Sequence, residues 1–222
     1  VHELGHALGL QHTLASSAMS TDITRSTTRA LPLGADDIAG LAALYPTAAF
    51  RRFTGAVEGR VSFTRGEPVA LASVGAIHAG GSVVTALTDP DGRYRLEGLP
   101  AGEHLLYVQP LPPPTQEGLG PANIVSPLAG GRALAASGAF RSVFLGGTSR
   151  AEESPRVRVL GGATASGFDF QVEARASAGI ANVTTYSFPG NGAPGVHPAF
   201  LDLTSRDDFL VATGQGLTAS LG

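Results

Sequence analysis

The 222-residue sequence predicts a multidomain protein in which a short helical part is followed by all-β units. Apolar residues recur at helical spacing within residues 34–46, whereas beyond residue 53 they alternate with a period of two, as in half-buried strands. Glycine (30 residues) and proline (15 residues) are frequent and only 15% of residues are charged, which favours a turn-rich β protein. A hydrophobic content of 43% argues against general disorder.

The first twelve residues, VHELGHALGLQH, contain the pattern H-E-x-x-H-x-x-G-x-x-H. On a helix, His2 and His6 share one face, so their imidazoles can bind the same zinc ion. Gly9 lets the chain leave the helix and bring His12 back as a third ligand. Glu3 is placed to activate water without binding the metal. Three protein ligands leave one position open, as in catalytic zinc sites; the alternative is a helix with surface histidines.

This segment resembles the metzincin metallopeptidases, and within them the matrixin group. The resemblance implies a Met-turn beneath the zinc ligands, and Met19, the only methionine of the sequence, stands at the matching place. Ser20 and Thr21 follow it where matrixins often carry Tyr-Pro, so the rim of the specificity pocket departs from the family pattern. The resemblance implies a zinc metalloendopeptidase with one catalytic Zn²⁺ ion, Glu3 as general base and a protein or peptide substrate.

In the matrixin-like picture, a twisted sheet and a long helix precede the zinc-binding motif, and the sheet aligns the substrate. The sequence here begins at Val1, inside the motif. We therefore expect residues 1–48 to be the α-helical, C-terminal part of an α+β catalytic domain that is truncated at its N-terminus. Without the aligning sheet, the 222-residue chain alone should show little or no proteolysis.

Three segments are predicted between the motif and the β region. Residues 13–34 are predicted to be a loop, which either lines the pocket or is a plain connector. A helix then starts over residues 34–37, where Asp36 or Asp37 either caps it or, as the resemblance implies, hydrogen-bonds near the Met-turn. Residues 47–53 are predicted to be a linker. The helix, which Pro46 ends, should present one apolar face formed by Ile38, Leu41, Ala42 and Tyr45.

Residues 88–102, TDPDGRYRLEGLPAG, combine two turn signals with an alternating strand. This motif resembles carboxypeptidase regulatory-like (transthyretin-like) β-sandwich domains, which are usually accessory modules of secreted bacterial proteins. Asp89 and Asp91 could open a calcium loop, but its later ligands are absent, so turn chemistry is favoured and no structural calcium or zinc is supported. Strands are predicted at residues 57–63, 68–71, 73–77, 83–88, 93–96, 104–108, 140–145, 156–160 and 168–172.

The sandwich is predicted to span residues 53–175, with a long loop at about 111–138. From residue 178 to 222 the sequence predicts the start of a further β unit, truncated and weakly similar to immunoglobulin-like modules. The isolated residues His78, His104 and His197 are predicted to have structural roles.

Several classes of function are disfavoured. The net charge of −3 without a basic run argues against nucleic-acid binding, and the absence of a long apolar stretch argues against a transmembrane helix. With no cysteine, there are no disulfides.

The resemblances imply a secreted, extracellular or cell-surface protein. The rival hypothesis is adhesion, in which the β modules bind extracellular matrix or glycans and the peptidase segment is vestigial.

Overall fold

The computed structural model describes residues 1–13, 15, 17–19, 33–111, 128–129, 131–175, 183–185 and 199–201. Its helices are α1 (His2–Ala7), α2 (Ala35–Leu44) and α3 (Ala48–Phe53). The other elements are mainly strands, so the described part of the chain is mostly β-sheet with few helices. The long strands are β1 (Thr54–Phe63), β2 (Ser73–His78), β3 (Val83–Leu87), β4 (Arg93–Pro100) and β5 (Gly102–Gln109). The short ones are β6 (Leu128–Ala129), β7 (Arg132–Ala133), β8 (Ala139–Phe140), β9 (Val143–Phe144), β10 (Val157–Val159), β11 (Thr164–Ser166), β12 (Phe170–Val172), β13 (Ala174–Arg175), β14 (Val183–Thr185) and β15 (Ala199–Leu201).

Two sheets pack face to face around the main core. In the first sheet, β1 pairs antiparallel with β4 and parallel with β11 and β12. The second sheet is antiparallel in the order β10-β5-β2-β3, and β9 also pairs with β5. Inward-facing residues of both sheets, such as Val57, Leu96, Val74 and Leu106, are fully buried between them. This arrangement fits the β-sandwich that the sequence predicts.

The strand predicted at residues 68–71 is wrong. Pro68 makes a single bridge to Ser62, and Leu71 has a φ of 59°, which lies outside the β region. The chain therefore turns here before it enters β2. The sequence pattern could not reveal this turn. Val69 and Leu71 are both buried, and alternating buried apolar residues are also what a strand would show.

The linker predicted at residues 47–53 is also wrong, because residues 48–53 form α3. The hydroxyl of Thr47 accepts a hydrogen bond from the Phe50 backbone N–H, at 3.2 Å, which is N-capping. Since α3 ends at Phe53 and β1 begins at Thr54, the helical part runs directly into the sandwich.

Helix α2 buries a different face from the predicted one. Ile38 and Tyr45 are 45% and 60% exposed, whereas Ala39 is buried in the core between the sheets. Ala39 fits there because Gly98 of β4 has no side chain: a Cβ on Gly98 would lie 2.8 Å from the Cβ of Ala39. Small residues thus let α2 lie directly on the sheet.

The turn at residues 89–92 follows the predicted turn chemistry. The carboxylate of Asp89 accepts hydrogen bonds from the backbone N–H groups of Asp91 and Arg93, at 2.9 and 2.8 Å, and Asp91 pairs with the Arg93 guanidinium. The second predicted turn is shorter than expected, since only Ala101 separates β4 from β5.

Parts of two predicted regions lie outside the described residues. Of the loop predicted at about residues 111–138, residues 112–127 and 130 are outside, while β6 and β7 form a two-stranded pair. Of the unit predicted at residues 178–222, β14 and β15 are described, and they pair antiparallel. His197 lies outside the described residues. No helix within the described ranges is long and apolar enough to cross a membrane.

His104 lies between the sheets, opposite His78 on the neighbouring strand, with ring centroids 5.0 Å apart. It is 1% exposed, and its Nε2 has no hydrogen-bond partner among the described residues. Burial, together with the nearby His78, lowers the pKa of His104 to about 4.

We predict that this buried imidazole makes the sandwich acid-sensitive. The unfolded chain binds the proton near pH 6.5, whereas the folded chain resists it until about pH 4, so stability falls as the pH is lowered between these values. The loss should total roughly 3 kcal/mol, from about 1.4 kcal/mol per pKa unit. Urea unfolding in EDTA at several pH values should show a flatter profile for His104→Leu, and Glu103→Gln, at an exposed position on the same strand, serves as the control. Parallel profiles for His104→Leu and the wild type would contradict this account.

Candidate metal centre

Helix α1 and the turn after it bring three histidines together. His2 and His6 lie four residues apart on α1, and Gly9, with a φ of 96°, ends the helix and reverses the chain toward His12. The Nε2 atom of His12 lies 3.1 Å from the Nε2 atoms of both His2 and His6. One ligand nitrogen from each ring lies within 4.8 Å of the other two. All three residues are half-buried.

Backbone carbonyls fix the orientation of two of the rings. The Nδ1 of His2 lies 2.7 Å from the Ala18 carbonyl oxygen, and the Nδ1 of His6 lies 2.9 Å from that of Leu10. Because a carbonyl only accepts, Nδ1 must carry the proton in both rings. In the neutral rings, each Nε2 therefore presents a lone pair to the centre of the cluster, which is how metal-binding histidines are usually oriented.

The donor set fits a zinc ion. Zn–N distances of about 2.0–2.1 Å in a tetrahedral site correspond to nitrogens about 3.3 Å apart, close to the two separations seen here. Lone pairs facing one another at 3.1 Å repel unless a proton or a cation lies between them, and a divalent cation can bind all three at once. Zinc ligation by His2, His6 and His12 stays a prediction that this geometry favours.

Glu3 follows His2 on α1 and is exposed. A solvent-accessible carboxylate beside the histidine cluster has access to water and can exchange protons with it. Its assignment as a general base stays a prediction.

Met19 forms the floor of the cluster. It is 3% exposed, and its Sδ packs directly against Gly5, on the helix between His2 and His6. A side chain at position 5 would overlap that sulfur, so the absence of a Cβ permits the contact. The Met-turn role of Met19 stays a prediction, which its contact with Gly5 favours.

Asp37 of α2 holds this floor in place. Its carboxylate accepts hydrogen bonds from the backbone N–H groups of Ala18 and Met19, at 2.8 and 3.0 Å, and from that of Gly34, at 2.8 Å. Asp37 is 2% exposed. The sequence left open whether the aspartates cap the helix or bind near the Met-turn, and Asp37 does both. The Ala18 carbonyl in turn accepts a hydrogen bond from His2. Asp37 therefore positions the predicted ligand His2 indirectly, through the backbone of Ala18.

Asp36, the preceding residue, contacts the sandwich instead. Its carboxylate accepts from the Thr85 backbone N–H, at 2.6 Å, and from the Thr85 hydroxyl, at 3.2 Å. The Thr85 hydroxyl also lies 3.1 Å from that of Thr13, the residue after His12. Burial of the carboxylate raises the pKa of Asp36 to about 6, although hydrogen bonds from Thr13 and Thr85 oppose this rise. Sequence reasoning missed Thr13 and Thr85, because no local pattern links residues 72 positions apart.

Comparisons with known proteins match the predicted architecture. Residues 1–46 match the matrixin family model, and residues 56–123 match that of the carboxypeptidase regulatory-like domain. A comparison with curated proteins finds no match.

Two solved structures are similar to the chain at low identity. The first is described as "a putative carbohydrate binding protein" from Bacteroides uniformis, with a TM-score of 0.32 and 11% identity, covering 60% of this chain and 47% of that one. The second is a DUF3823 family protein from Parabacteroides merdae, with a TM-score of 0.28 and 15% identity, covering 61% of this chain and 52% of that one. The chain spans about half the length of these structures.

We predict that Asp37→Ala destabilises the metal-free chain by about 2–4 kcal/mol, because buried N–H groups lose their acceptor. Asp169→Ala is the matched control: Asp169 also accepts a backbone N–H, from Arg60, but at an exposed position just before β12. Its cost should stay near 1 kcal/mol. Urea unfolding in EDTA measures both, and equal losses for the two variants would refute the special role of Asp37.

Proposed function

We propose that this chain carries the zinc-binding part of a metalloendopeptidase, joined to accessory β-sandwich modules. The observation that carries the proposal is the convergence of the three imidazole nitrogens of His2, His6 and His12 at the start of the chain. The matrixin match over residues 1–46 supports the same chemistry.

In the proposed mechanism, His2, His6 and His12 would hold the zinc ion. When bound, zinc supplies Lewis acidity toward the scissile carbonyl and lowers the pKa of water. Glu3 accepts a proton from the attacking water as its oxygen forms a bond to the peptide carbon. Glu3 then gives the proton to the amine nitrogen as the C–N bond breaks. Met19 takes no part in proton transfer and fixes the cluster from below.

We also propose how the chain divides into domains and where the protein is located in or outside the cell. Residues 1–48 would belong to the catalytic domain, residues 53–175 would form the sandwich, and residues 178–222 would belong to a further module. The protein would be secreted or on the cell surface, and the matrixin match over residues 1–46 supports protein or peptide substrates. The match of residues 56–123 to a carboxypeptidase regulatory-like domain leaves a second candidate, a binding protein in which the sandwich carries the function.

We predict that Glu3→Gln abolishes peptide cleavage while zinc binding remains. The protein should be expressed from its complete reading frame, and its zinc content and casein cleavage measured. The wild type should bind about one zinc ion per chain, and Glu3→Gln should lower the rate at least 10²-fold, the usual contribution of a general base. Glu103→Gln is the control, since Glu103 is also exposed but lies on β5 of the sandwich.

Two results would contradict the proposal. Cleavage that survives Glu3→Gln would exclude Glu3 as the base. A wild-type protein without zinc and without activity would favour the binding protein instead.

A further inference from the structure

The sandwich makes a hydrogen-bonded contact with the segment that carries His12. Strand β3 is the edge strand of the second sheet and pairs with β2, so its other edge has backbone groups available for outside partners. The Thr85 N–H on this edge donates to Asp36, at 2.6 Å. A side chain of the helical part thus satisfies a backbone group of the sandwich edge.

Two hydroxyls extend this contact to the residue next to His12. The Thr85 hydroxyl lies 3.2 Å from the Asp36 carboxylate and can donate to it, and the Thr13 hydroxyl, 3.1 Å from that of Thr85, can donate either to Thr85 or to Asp36 itself. Thr13 is also fixed locally: its N–H donates to the Met19 carbonyl, at 3.0 Å, and its hydroxyl accepts from the Ala15 N–H, at 3.1 Å. We call the hydrogen-bonded set of Thr13, Thr85 and Asp36 the latch.

The latch lies beside a cavity and next to an apolar contact. A cavity of about 220 Å³ lies between the His12 segment and the sandwich, and its lining includes His12, Met19, Thr85 and Leu87. The three residues of the latch form part of the wall of this cavity. Beyond it, Ala15 is 5% exposed and belongs to the apolar cluster on the outer face of the second sheet.

We infer that Thr85 is a positioning residue of the metal centre, because the latch fixes the backbone that carries His12. This inference rests on the proposed zinc site. Binding of zinc to His12 and ordering of β3 are then linked, and the linkage is reciprocal: zinc protects β3, and the latch strengthens zinc binding. The sandwich is in this sense part of the site rather than a separate tethered module.

Two measurements on the full 222-residue chain test the inference. Zinc affinity is measured at pH 7.5 by competition with a chromophoric chelator, for the wild type, Thr85→Val and Thr85→Ser. Thr85→Val should weaken zinc binding about 5- to 10-fold, in the range of allosteric couplings, whereas Thr85→Ser keeps the hydroxyl and should bind like the wild type. Thr164→Val is the matched control, since the Thr164 hydroxyl accepts from Arg95 on the first sheet. Hydrogen exchange of the wild type, which needs no variant, should slow in residues 83–87 when zinc is added.

The outcomes separate this inference from the proposed function. If the wild type binds zinc but Thr85→Val binds it equally well and β3 gains no protection, the latch has no positioning role and the zinc site stands. If the wild type binds no zinc at all, the zinc site and the latch inference both fall. Loss of affinity in Thr85→Val and Thr164→Val alike would also overturn the inference, since the effect would then be general destabilisation.

Discussion

Three imidazole nitrogens that face one another at short range set the central constraint of this structure. The Nε2 of His12 lies 3.1 Å from those of His2 and His6, whose other nitrogens are held by backbone carbonyls. Such an arrangement is costly unless a proton or a cation lies between the nitrogens, because facing lone pairs repel. The surrounding fold therefore has to hold the rings in place, and it does so through a helix, a glycine turn and a buried methionine.

Two consecutive aspartates connect this centre to the rest of the protein. Asp37 binds the N–H groups of Ala18 and Met19 beneath the cluster, whereas Asp36 binds Thr85 on the edge of the sandwich. Helix α2 therefore contacts the metal centre and the sandwich at once, and its Ala39 belongs to the core between the sheets. The helical segment and the sandwich are joined by polar and apolar contacts, which gives a physical reason to study them as a unit.

Local patterns predicted much of this arrangement. The spacing of His2 and His6 indicated that their rings would meet, because helical geometry fixes neighbours three and four residues apart. Gly9 indicated the turn toward His12, and the matrixin resemblance implied the place of Met19. Alternation predicted most of the sandwich strands. The predictions that failed concern features that local patterns do not encode. The buried face of α2 depends on its contact with Gly98 of β4, and the turn at Leu71 depends on a positive φ angle. The contact of Thr85 with Thr13 depends on strand order, and no periodicity encodes that.

The central claim is that three histidines share one ion, and X-ray absorption at the zinc edge tests it most directly. The chain, loaded with one equivalent of zinc, should show three imidazole nitrogens at about 2.0–2.1 Å and a further light atom, and His12→Ala should remove one imidazole from the shell. A zinc ion surrounded by oxygens, or a spectrum that His12→Ala leaves unchanged, would contradict it.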